Sequence, residues 1–389
     1  MHTRGWLLVV ESIALKFFFG ILPLHYNRNS ARFSKGVKDL AIVVVFVILF
    51  AVVAPIICAL VFCTNTDYNQ INSFLMTIQL IFVYMFIILV QCLFIMKKET
   101  LHELLNDMFA LKDLLEDTLD CSMTEFKLYW LFYLKIVVVD FIVQLFALLT
   151  FEDIMDYETT SIEFVTSLLF YAMMYFVTMI ENLILVGLLI CAVMQKMINR
   201  IVKRLAKCQV RNDKPVSFKR SPTVLQTYMI HCKNNEIVRK FMDAMNFPVL
   251  LLSGWYFFMI IYSVYFMYVS ALRTFQGGLV GEEYKEFLNP CIFFTYQCLQ
   301  LYLLVLIPSL YTEHAIKMMS LLNYVCVNQR HGPAQDRLLE VLMLECMQRN
   351  YSISNYGMYA MNRALLFGMI ATMTSYLIIL IQFHMQEYE

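Results

Sequence analysis

The chain has 389 residues, 60% of them apolar and 15% charged, with 30 basic side chains set against 30 acidic ones. A soluble domain carries roughly 45–50% apolar and about 25% charged residues. The composition therefore excludes a soluble protein and indicates an all-α membrane protein, and zero net charge leaves no footprint for nucleic acid.

The first 39 residues read as a cytoplasmic N-terminal segment with an amphipathic helix. Glu11 and Lys16 interrupt its apolar run at 6–10, which is too short for a signal-peptide core. Gly20 and Pro23 then break it, so the segment suits the bilayer interface. Seven apolar stretches follow, at 40–63, 74–96, 126–150, 164–194, 247–272, 290–311 and 362–383. Each is long enough to cross a bilayer as a helix. The third contains Lys127, Lys135 and Asp140 and is the least apolar.

Loop charge orients the chain. The loop after span four carries Lys196, Arg200, Lys203, Arg204, Lys207, Arg211, Lys214, Lys219 and Arg220 against Asp213 alone. The loop after span three holds Glu152, Asp153, Asp156, Glu158 and Glu163 and no basic residue. The N-terminus is thus expected inside and the C-terminus outside, the reverse of a G-protein-coupled receptor. Residues 40–311 then hold spans one to six, with a ligand pocket in their outer half and cytoplasmic extensions. Residues 312–361 form a cytoplasmic linker and anchor helix, 362–383 the last span, and 384–389 an extracellular tail.

Helical pattern continues inward from span four through 195–207 and backward from span five to Ser221-Pro222, a suitable cap and first-turn pair. A helix over 335–349 places Leu338, Leu339, Leu342 and Cys346 on one side, and 99–120 is amphipathic too. These helices suit a scaffold or an assembly platform.

No catalytic grouping appears. The eleven cysteines form no Cys-x-x-Cys pair, and the seven histidines form no HExxH. A metal site, a cofactor and an enzyme are all unsupported. Inside the spans, Lys135, Asp140 and Glu181 are costly in lipid and call for pairing or a wet cavity. A Lys135–Glu181 pair locking spans three and four is one reading, and a hydrated cavity wall is the other. Tyr171, Tyr175, Tyr262, Tyr265 and Tyr296 crowd the outer halves of the spans, with Gln79, Gln144 and Gln297 at similar heights. Together with Asp140 they fit either a concave apolar pocket with a few polar groups or plain helix packing.

The last span repeats Gly368, Thr372, Ser375, Ile379 and Gln382 on one helical face. Such a small and polar stripe packs on another helix or faces water. The span closes on Ser375-Tyr376, five aliphatic residues, then Gln382-Phe383. This resembles the C-terminal signature of insect gustatory receptors, Thr-Tyr, five hydrophobic residues, Gln-Phe, with Ser in place of Thr. Tyr356-Gly357-Met358-Tyr359-Ala360-Met361-Asn362-Arg363 also resembles the family's approach to its last span.

The resemblance implies a ligand-gated, non-selective cation channel in the plasma membrane of sensory neurons, built as a homo- or hetero-tetramer. In such a channel the last span lines a central pore. Gln382, Phe383, Ile379 and Ser375 would lie along it, with Phe383 as a hydrophobic gate, and Tyr376 would pack helices. Monovalent and divalent cations would permeate, and a small organic tastant would bind among the earlier spans. Leu377 stands where the sugar-receptor branch commonly has Glu, which favours a bitter-type or other non-sugar ligand, neutral or weakly basic. Two alternatives are a seven-span receptor signalling through an intracellular partner and a modulatory co-receptor subunit of a heteromeric channel.

Overall fold

The computed structural model of the chain describes residues 24–27, 32–34, 36, 41, 43–45, 47–48, 70–119, 134–143, 161–211, 223–277, 283–328 and 333–387. The N-terminal amphipathic helix and most of the first and third expected spans lie outside these residues. So do residues 212–220 of the basic loop after span four.

A short antiparallel hairpin, β1 (His25–Asn27) and β2 (Arg32–Ser34), opens the described chain. Then come α1 (Gln70–Met96) and α2 (Lys98–Leu119), and a π-helical turn at Lys135–Asp140. Three long helices follow: α3 (Ser161–Arg211), α4 (Val224–Gly277) and α5 (Glu283–Asn328). The chain ends with α6 (Pro333–Gln348), the hairpin β3 (Ser354–Asn355) and β4 (Tyr359–Ala360), and α7 (Arg363–Glu387).

Five of these helices are long and apolar enough to cross a membrane: α1, α3, α4, α5 and α7. They coincide with five of the expected spans. α3 is the central one, and 89% of its apolar stretch is buried within the chain. It packs on α4 and α5, with Ile180, Ile184, Leu188, Cys191, Met194, Ile198 and Ile201 fully enclosed. Each such side chain contributes roughly 1.5–3 kcal/mol where water is the alternative; in lipid, close packing carries the association instead. At Gly187 an added methyl carbon would stand 2.4 Å from the Phe241 ring, so this ring of α4 packs directly on the α3 backbone.

The extensions behave as their periodicity predicts. In α2, Leu101, Leu104, Met108, Leu111 and Leu115 recur at helical spacing and are all buried. In α6, Leu339, Leu342 and Cys346 are buried, whereas Leu338 lies at the margin of the stripe and is exposed. The start of α4 is a correction. Its cap is Thr223 rather than Ser221-Pro222: Gln226 N–H donates to Thr223 Oγ1 at 3.2 Å, and Thr223 N–H donates to Gln226 Oε1 at 3.0 Å. That is a capping box, which satisfies two free helix-end donors at once.

At the basic end of the bundle a chain of buried polar groups crosses four segments. The Tyr351 hydroxyl donates to His231 Nε2 at 3.1 Å, and His231 Nδ1–H donates to Gln195 Oε1 at 3.0 Å. Gln195 Nε2 donates to Asn199 Oδ1 at 3.2 Å, and Asn199 Nδ2 donates to the His314 carbonyl at 2.8 Å. Donors and acceptors match throughout with a neutral imidazole. The approach to α7 is also anchored. Tyr356 (φ 49°) and Gly357 (φ 71°) make a tight left-handed turn closed by Met358 N–H on the Asn355 carbonyl. Buried Asn355 then donates to the Tyr359 hydroxyl at 2.9 Å, which donates to Ser253 of α4 at 3.1 Å.

Candidate ligand cleft and last helix

A narrow cleft of about 10 Å³, room for about one water molecule, lies between α3, α4 and α5. Helix α3 contributes Met174, Val177 and Thr178, consecutive positions on one helical face. Helix α4 adds Trp255 and Tyr256, and α5 adds Phe293, Tyr296 and Gln297. The Trp255 ring is fixed from behind by Phe82 of α1, stacked at 5.6 Å between centroids. Counting along the helices, the cleft lies about 30 Å from the polar chain at the basic end.

Under the cleft sit two carboxylates with no exposed surface, Asp140 and Glu181. Asp140 is fully served. Lys135 Nζ stands 3.0 Å from its Oδ2, and Asn182 Nδ2 donates to the same oxygen at 2.7 Å. Oδ1 accepts from the Tyr296 hydroxyl at 3.1 Å and from Gln300 Nε2 at 3.0 Å. Lys135 also donates to Asn182 Oδ1 at 2.5 Å. Good geometry with extra hydrogen bonds is what lets a buried pair repay its desolvation.

The Lys135 charge acts on both carboxylates, and its ion pair at 3.0 Å is with Asp140. Lys135 pairs within its own segment, and Glu181 accepts from the Tyr256 hydroxyl at 2.5 Å. The π-turn is the cause. Residues five apart diverge on an α-helix but come together on the wider π-helix, so Lys135 and Asp140 meet.

The polar and aromatic residues marked in the sequence fall in several places. Tyr296 and Gln297 line the cleft, and Asp140 lies beneath it through Tyr296. Gln79 is buried on α1, outside the cleft lining, and Tyr175 is half-buried on α3. Tyr262 stacks along α4 between Phe258 and Phe266. Tyr265 is buried with Val269 against Leu377 and Leu380 of α7. The backbone of Tyr171 belongs to α3, and its side chain is outside the described residues. The sequence reading passed over Trp255 and Tyr256, and with them Thr178 and Asn182. The adjacent pair Glu181-Asn182 inside an apolar span was the signal that pointed there.

Helix α7 differs in kind. Only 6% of its apolar stretch is buried within the chain. One face, Leu366, Met369, Met373, Leu377 and Leu380, packs inward. Gly368, Thr372, Ser375, Ile379, Gln382 and Phe383 are exposed. Thr372 and Ser375 turn their hydroxyls onto the Gly368 and Ala371 carbonyls at 2.8 and 3.2 Å. The stripe therefore presents few free polar groups until Gln382. Tyr376 meets the edge of Phe257 at 5.9 Å between centroids, beside the two α4 residues that wall the cleft.

Residues 15–387 match the family model for the 7tm chemosensory receptor. The chain belongs to that family. It is a family of multi-pass membrane receptors rather than of enzymes, as the lack of catalytic grouping suggested. Among curated proteins none matches this sequence. The fold resembles the structure of the insect olfactory receptor OR5 from Machilis hrabei, at 15% identity and a TM-score of 0.64, over 98% of each chain. It also resembles the same receptor in complex with eugenol, at 15% identity and a TM-score of 0.61, again over 98% of each chain.

Proposed function

We propose that this chemosensory receptor is a subunit of a gustatory, tastant-gated, non-selective cation channel of the sensory-neuron plasma membrane. Four copies, identical or related, would surround one pore lined by α7. Ser375, Ile379 and Gln382 would face the ion path, and Phe383 would close it by excluding water. A small non-sugar organic molecule would enter the α3–α4–α5 cleft from outside.

One observation carries this reading: α7 is almost unburied within its own chain and leaves its small and polar stripe uncovered. A helix with that face needs either copies of itself or water. The closing motif at 375–383 supports a gustatory branch, and the eugenol complex of the olfactory receptor supports a small organic ligand. Coupling has a short route. Tyr256 walls the cleft, and the next residue, Phe257, touches Tyr376 of α7. A ligand that prefers one placement of α4 would shift α7 by its differential affinity.

Purified full-length protein in planar bilayers tests the proposal. Unitary cation currents that rise in open probability with ligand are expected. A protein that binds ligand yet passes no current, alone or with related subunits, would instead signal through an intracellular partner.

A further inference from the structure

We infer that the cleft between α3, α4 and α5 is a binding site for one structural water, which ties Gln297 of α5 to the hydroxyl groups beside it. The inference stands on the cleft walls alone and does not need the ligand reading above.

Size comes first. At about 10 Å³ the cleft matches one water molecule and no organic body. Its walls are polar enough to hold one, since Thr178, Tyr256, Tyr296 and Gln297 all line it. Gln297 is 4% exposed, and its Oε1 receives no hydrogen bond. A buried oxygen left unmet in this way is costly.

The neighbouring hydroxyls do not meet it. The Thr178 hydroxyl donates to the Met174 carbonyl at 3.3 Å, Tyr256 to Glu181 at 2.5 Å and Tyr296 to Asp140 at 3.1 Å. Each has its single proton committed elsewhere and keeps oxygen lone pairs that can accept. The cleft therefore calls for donors, and water brings two. One proton serves Gln297 Oε1 and the other a hydroxyl oxygen, which gives a buried water the polar partners it needs. No carboxylate lines the cleft, so a neutral donor suits it better than a metal ion, whose charge would be buried without a partner there.

Position gives the water a role. It joins α5 to its neighbours beside Tyr256, and the next residue, Phe257, touches Tyr376 of α7. An organic ligand at this site would have to part the helices and release the water first.

Radiolytic footprinting of full-length protein in lipid nanodiscs tests the inference. X-ray pulses turn water, bound water included, into hydroxyl radicals that oxidise the side chains beside it, and mass spectrometry reads the rate at each residue. Met174 lines the cleft at 7% exposure, whereas Met179, on the same helix at 6%, is outside the lining. In wild type Met174 should be oxidised at least about fivefold faster than Met179, because only Met174 has a water against it. Thr178→Val with Gln297→Leu removes one hydroxyl and the unmet oxygen, and should bring the two rates within about twofold. Should the double variant fail to fold, Thr178→Val alone, which keeps the shape, should lower the Met174 rate at least about twofold. Equal rates in wild type, or a Met174 excess that survives these substitutions, overturns the inference.

Discussion

Helices α3 and α7 have nearly the same mean hydropathy and opposite surroundings: 89% of one apolar stretch is buried within the chain, against 6% of the other. Hydropathy therefore reports that a helix enters the bilayer and says nothing about what covers it. The difference lies in how polar groups are met. In α3, Glu181, Asn182, Gln195 and Asn199 all find hydrogen-bond partners on other segments of the same chain. In α7, Thr372, Thr374 and Ser375 bond only to their own helix, and Gln382 is exposed. α3 is the keel of the subunit, and α7 waits for something outside it.

The contrast can be broken by substitution. Asp140→Ala should have the largest effect on folding. It removes the carboxylate that Lys135 pairs with at 3.0 Å, and breaking such a buried pair costs about 3–5 kcal/mol. Thermal unfolding in detergent, followed by gel filtration, should show little monodisperse protein near room temperature. Gly187→Ala comes next. The new methyl meets the enclosed Phe241 ring, and overpacking of this kind costs roughly 1–3 kcal/mol. His231→Leu removes the acceptor of the Tyr351 hydroxyl and one of the two donors to Gln195 Oε1, the other being Asn234, and should lower stability by about 1–3 kcal/mol. A melting point equal to wild type for all three would remove the keel from α3.

The weakest effect is electrostatic. Arg349 hydrogen-bonds Glu345 one turn away on α6 and holds its carboxyl below the usual range. A depressed carboxyl stabilises above its unfolded range and loses that contribution as pH falls through it. Both partners are largely solvated, so Glu345→Gln should change stability by about 0.3 kcal/mol near neutral pH and by nothing in acid.

Much of this architecture was legible in the sequence. Apolar length gave the five described spans, and helical periodicity gave the buried stripes of α2 and α6 and the exposed stripe of α7. What escaped were features governed by non-α geometry or by choices between equivalent signals. The Lys135–Asp140 pair depends on a π-turn that spacing rules for α-helices do not contain. Ser221-Pro222 and Thr223 with Gln226 are both sound helix starts, and the reciprocal hydrogen bonds decide for the second. In the cleft, Trp255 and Tyr256 look like ordinary span aromatics, and only the arrangement of three helices sets them beside Thr178 and Tyr296.

Phe383 separates the two helices most directly, since an exposed residue at the end of α7 should matter for conduction and not for folding. Phe383→Ala should melt within about 0.5 kcal/mol of wild type. In patch recordings at matched surface expression it should pass cation current without ligand, and Gln382 substitutions should change relative ion permeabilities. Wild-type resting current from Phe383→Ala, together with unchanged permeability in the Gln382 variants, would contradict the assignment of α7 as the pore helix.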